Sequence, residues 1–138
     1  MTASYRNGHS RRLERALWAA QSVLGTAFAG AGAFKLFGPM KQVEDKLGFP
    51  KDVGPKVTRF IGASELAGGL GVVAPSLTRI APALTPLAAL GLDAVMILAT
   101  GYHLRKRELA SLPVTLGLGA LAAFVAWGRY KKARIAPR

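Results

Sequence analysis

No cysteine occurs among the 138 residues, which excludes disulfides, thiol catalysis and thiolate metal sites. Histidine is almost as scarce, and His9 and His103 are too few to build a histidine metal centre. Acids number 7 against 19 Lys and Arg, for a net charge of +12. No serine stands at a recognisable motif spacing from a histidine and an acid, and no phosphate loop is present. Gly68-Gly69-x-Gly71 lies inside an apolar run and reads as a helix-packing face rather than a nucleotide loop. The basic residues do not alternate with stacking aromatics, so the charge is not that of a nucleic-acid binder. No catalytic residue, metal or cofactor is expected from these patterns.

Apolar residues are abundant, at 51% of the chain. They come in four blocks close to the roughly 20 residues that cross a hydrocarbon core. The expected fold is therefore all-α: an integral membrane four-transmembrane-helix bundle with a short amphipathic helix between spans one and two. Residues 1–15 read as a basic, disordered tail, 16–130 as the membrane domain and 131–138 as a second basic tail. Arg11, Arg12 and Arg15 precede the first block, and Arg129, Lys131, Lys132 and Arg134 follow the last. Such flanking charge anchors helices at anionic headgroups. The first block is too long for a cleaved signal sequence and reads as retained.

Span one covers about Ala16 to Phe37, with Ser10 as a candidate cap and Glu14 in the first turn. Gly25, Ala29 and Ala33 form a small-residue stripe of the kind that lets helix backbones approach in lipid. Gly38-Pro39 ends it. Met40, Val43 and Leu47 then share a face separated by charged residues, which marks a surface helix. Asp52 to Lys56 reads as a turn-rich link. Span two runs from about Val57 to Ala74, with Pro75 as its stop and Gly62, Glu65, Gly69 and Val72 on one face; Ser64 and Gly68 lie beside it. Span three begins between Pro82 and Pro86 and ends near Leu104, with Asp93 at its middle and Thr100 on the same face. Span four runs from the Ser111-Leu112-Pro113 start to about Gly128 and carries no charge.

An even number of spans puts both termini on one side. With the termini cytoplasmic, ten Lys and Arg lie inside and nine outside, out of the 19 in the chain. The positive-inside rule is then almost balanced. Cytoplasmic termini are preferred because their charges sit directly at the ends of spans one and four.

The segments AGAFKLFGP, RFIGASELAGGLGVVAP, LTPLAALGLDAVMILATGYHLRKRE and FVAWGRY resemble, in order, the successive helix motifs of the DoxX-like family. The resemblance runs from about Trp18 to Tyr130. It implies a small four-helix protein of the bacterial inner membrane, with Lys35, Arg59, Glu65 and His103 at the family's recurrent polar positions. Relatives are linked to thiosulfate:quinone oxidoreduction, to oxidative-stress membrane complexes, or to assembly of membrane receptors. Asp93 does not match a recurrent acid of that pattern.

By depth, Lys35, Arg59, Glu65 and His103 fall toward one membrane side. An ionisable group inside a membrane costs at least about 2.5–3.5 kcal/mol, so Glu65 and Asp93 should face the bundle interior, pair or be protonated. The preferred reading is that the cluster ties helices together. A quinone-headgroup or small-ligand site and a proton or solute pathway through Glu65 and Asp93 are the alternatives. The expected role is an accessory or scaffold subunit. Its partners would be the bilayer and other membrane proteins, or a second copy of itself, and not nucleic acid.

Overall fold

The computed structural model describes residues 2–138, and side chains from residue 10 onward. The side chain of His9 lies outside the described residues. No strand is present among them, and six α-helices carry the fold. They are α1 (Thr2–Phe37), α2 (Met40–Leu47), α3 (Pro50–Val53), α4 (Pro55–Thr78), α5 (Leu84–Arg105) and α6 (Leu112–Trp127). A 3-10 turn, Leu109–Ser111, leads into α6, and a π-helical turn, Gly128–Lys132, leads out of it.

Three segments are long and apolar enough to cross a membrane by length and composition: α4, α5 and Leu109–Lys132, which contains α6. The fourth expected span lies within α1. Its apolar half carries Gln21, Ser22 and Thr26 and relies on Gly and Ala where the other spans use Leu and Val. That composition reduces its hydropathy and suits it to close packing.

Several boundaries differ from the sequence reading for identifiable reasons. Helix α1 already starts at Thr2 and runs through Ser10, where a disordered tail and a cap were expected. Helix α4 continues through Pro75 to Thr78. Proline deletes one backbone hydrogen bond, but the last turn is braced from both sides. Thr78 Oγ1 donates to Ala74 O at 2.8 Å, and buried Ser76 shares a 2.7 Å hydrogen bond with Thr85 of α5. The expected link at 52–56 holds the end of the short helix α3 and the start of α4. Gly54 joins them at φ 87° and ψ 168°, a conformation open essentially to glycine alone. Helix α2 matches its expected limits and buries Val43.

Packing follows the chain. Helix α1 lies mainly against α4, α4 against α5 and α5 against α6, while a lighter α1–α6 contact closes the ring. The core between them contains Leu24, Phe28, Val72, Leu92 and Val125. Glycine sets the α1–α4 spacing. A Cβ on Gly69 would stand 2.6 Å from Ala29 N, and one on Gly62 would stand 2.7 Å from Leu36 N. Gly25 and Ala29 belong to this seam, as their spacing predicts, but it continues through Gly32, which packs on Gly62 and Leu66, and not through half-buried Ala33. Gly68 faces α5 instead, against Leu92.

Candidate functional site

The structure brings three of the four expected polar residues together at the end of α1. Lys35 lies in the last turn of α1, and Glu65 lies on the α4 face that also carries Gly62 and Gly69. Their ion pair is enclosed, with 8% of Lys35 and 3% of Glu65 exposed. Arg59, one and a half turns before Glu65, caps the same helix end. Its Nη1 donates to the carbonyls of Lys35, Leu36 and Gly38 at 2.8, 2.9 and 2.7 Å. The first two are carbonyls that a helix C-terminus leaves without internal partners, the third follows the helix directly, and a cation there also complements the helix dipole. Phe49 closes the cluster, its ring centroid 5.9 Å from Lys35 Nζ.

His103 is at the same end but outside this cluster. Its Nδ1 lies 2.6 Å from Glu108 Oε2, and its ring packs edge-on against Tyr102. Among the described residues no hydrogen bond or ion pair joins it to Lys35, Arg59 or Glu65. Tyr102 donates to Asp52 on α3, and Lys106 Nζ reaches the same carboxylate oxygen at 3.1 Å. These contacts fasten α3 to the end of α5.

The Tyr102 hydrogen bond, followed by Lys106, holds the Asp52 carboxyl below its ordinary value of 3.8. A depressed carboxyl stabilises the fold above its ordinary value, and that contribution disappears as pH falls through the lower folded value. Asp52→Asn should therefore be less stable than the parent near neutral pH, and the difference should narrow in thermal unfolding below the ordinary carboxyl range. A difference of constant size down to the most acidic point would contradict this assignment.

A second polar cluster, at the opposite end, escaped the sequence reading. Arg129 is treated there as a headgroup anchor, yet it is 3% exposed. Its Nε donates to Gln21 Oε1 at 2.7 Å, and its Nη1 meets both Glu14 oxygens at 2.8 and 2.9 Å. Gln21 in turn donates to Val72 O of α4 at 2.5 Å. One buried amide thus links α1, α4 and the end of α6. The π-helical turn rotates Arg129 inward, and Gly128 lets the chain pass over Leu17. A signal for this cluster does exist in the sequence. Glu14, Leu17, Gln21, Leu24 and Phe28 repeat at three- and four-residue steps, so the two polar residues lie on the core face.

Asp93 belongs to neither cluster. It is half-buried between α5 and α6, where Gly119 leaves room for its carboxylate. It has no hydrogen bond or ion pair among the described residues. It lines two grooves along the α5–α6 seam, of about 880 and 340 Å³. Thr100 lines the smaller groove, as its shared face with Asp93 predicts, and its hydroxyl lies within hydrogen-bond distance of Met96 O and Thr115 Oγ1, at 2.7 and 3.0 Å.

An all-helical chain with three apolar spans and internal charges tied helix to helix has the character of a multi-pass membrane protein. It belongs to the DoxX-like family, whose model matches residues 19–125. No curated protein and no solved structure matches the chain.

Proposed function

We propose that this protein is a four-span inner-membrane bundle, with both termini cytoplasmic, that serves as a non-catalytic accessory subunit of a membrane complex. The observation behind this reading is how the internal polar groups are used. Lys35 and Glu65 satisfy each other, Arg59 caps the end of α1, and Glu14, Gln21 and Arg129 connect α1, α4 and the turn after α6. Both sets act as structural ties. Helix α1 supplies residues to both, which supports its place as the fourth span.

The outer faces carry exposed Leu87, Leu90, Ile97, Leu98, Val114 and Leu116. Gly91, Gly101 and Gly117 are open, with nothing within 4 Å of a Cβ added there. Such small-residue surfaces allow another helix to approach closely. Gly62 and Gly69, by contrast, are already used inside the bundle. A quinone-headgroup site at Lys35, Glu65 and His103 has less support, because Lys35 and Glu65 pair with each other and His103 pairs with Glu108.

The test is crosslinking and co-purification from native membranes, comparing the parent with Gly91→Leu and Gly117→Leu. A defined partner band lost in at least one variant, with the folded chain retained, is the expected result. No partner band from the parent would remove the basis for an accessory role.

A further inference from the structure

The larger groove is bounded by α5, the end of α6 and the C-terminal segment, and it borders the second tie at Arg129. Leu87, Leu90 and Ala123 form its apolar floor, and Trp127 forms one wall. Ile135 and Pro137 form a lip. The lip is held in place by the Arg138 N–H donating to Arg79 O at 3.0 Å and by Arg79 Nε donating to Ala136 O at 3.0 Å. Arg129, Lys131 and Arg134 line the same end, while Asp93 lines the other.

Arg129 carries the decisive detail. Its Nε and Nη1 are bonded and its guanidinium lies over the Trp18 ring, 5.2 Å from the centroid, but Nη2 is buried without a hydrogen-bond partner. A buried, charged N–H donor is normally satisfied, since leaving it bare costs more than the hydrogen bond yields. Glu14, the acid nearest Arg129, is already engaged by Nη1. No acid pairs with Lys131 or Arg134 among the described residues. The site therefore has an unfilled guanidinium donor, two further cations and an adjoining hydrocarbon floor.

We propose that this groove binds an anionic lipid. The headgroup phosphate is held by Arg129 Nη2, Lys131 and Arg134, and an acyl chain lies over Leu87, Leu90 and Ala123. Guanidinium geometry suits phosphate oxygens. Asp93 at the far end repels the anion and so fixes the direction in which the lipid enters. Asp93 lies seven helical steps after Pro86 on α5, roughly 10 Å of groove floor at the helical rise. This inference rests on the reading that α5 and α6 cross the membrane.

The test uses the full chain carrying Trp18→Phe, which keeps an aromatic ring beside Arg129 and leaves Trp127 as the remaining tryptophan of the 2 present. It is reconstituted in phosphatidylcholine vesicles containing a small fraction of dibrominated phosphatidylglycerol or, in parallel, dibrominated phosphatidylcholine. Preferential quenching of Trp127 by the anionic lipid is expected, and the preference should fall about fivefold for each of Lys131→Gln and Arg134→Gln. Ala123→Phe, which fills the groove from an exposed position, should weaken quenching by the anionic lipid in particular. These variants leave Arg129, with its core contacts, in place. Equal quenching by the two lipids, or a preference unchanged in all three variants, overturns the proposal alone. Recovery of fluorescence on adding inorganic phosphate also overturns it, because the site would then take the free ion. No quenching by either lipid overturns it together with the membrane reading.

Discussion

Replacing Glu65 with Gln is expected to destabilise the protein by about 3–5 kcal/mol, the usual cost of removing one member of a buried ion pair. The large value comes from what remains. Lys35 is 8% exposed and would keep a buried ammonium with no carboxylate to meet it. Arg59, a second cation, occupies the same helix end and is already engaged by three carbonyls. Lys35→Met should cost a similar amount by stranding Glu65. The double variant Lys35→Met with Glu65→Leu should recover most of the loss, because a well-packed apolar pair often equals or exceeds a buried ion pair in stability. Reversible unfolding in mixed micelles, read as a double-mutant cycle, measures all three. Additive losses in the double variant would show that Lys35 and Glu65 do not depend on each other.

Gly62→Ala and Gly69→Ala are each expected to destabilise by about 1–3 kcal/mol, as overpacking does. The added methyl groups meet backbone nitrogen atoms of α1 at 2.7 and 2.6 Å, and backbone cannot rotate away as a side chain can. The helices must separate, which also loosens the Lys35–Glu65 pair one turn from Gly62. Gly101→Ala and Gly117→Ala provide the contrast. Both positions are helical and open, so the substitutions should be neutral or stabilising by up to about 1 kcal/mol. The same micelle unfolding experiment measures this sign difference. Destabilisation of equal size at all four glycines would mean that close helix approach is not what Gly62 and Gly69 provide.

Much of this arrangement is visible in the chain itself. Glu65 shares a helical face with Gly62 and Gly69, and a carboxylate on a small-residue face has to meet another helix. Its pairing with Lys35 follows from their common depth. The fate of His103 does not, because depth places a residue along the membrane normal but leaves its direction around the helix open. The local Glu108, five residues away, captures it. Arg129 was harder to place. A basic residue next to Trp127 and Tyr130 has the pattern of an interface anchor, and only the π-helical turn directs it inward. Proline does not stop α4 at Pro75: its ring removes one backbone bond, and hydrogen bonds from Thr78 to Ala74 O and between Ser76 and Thr85 hold the last turn in place. The weakest apolar signal belongs to α1, because the glycines and Gln21 that bind it to its neighbours also lower its hydropathy.

Helix α1 therefore decides the number of spans. A three-span chain places its ends on opposite sides of the membrane, and a four-span chain places them together. The absence of native cysteine makes the measurement clean: single cysteines at Ser10, Lys51 and Arg138, labelled by a membrane-impermeant maleimide in sealed vesicles. Ser10→Cys and Arg138→Cys should label from the same face and Lys51→Cys from the other. Labelling of Ser10→Cys and Arg138→Cys from opposite faces would contradict the four-span bundle.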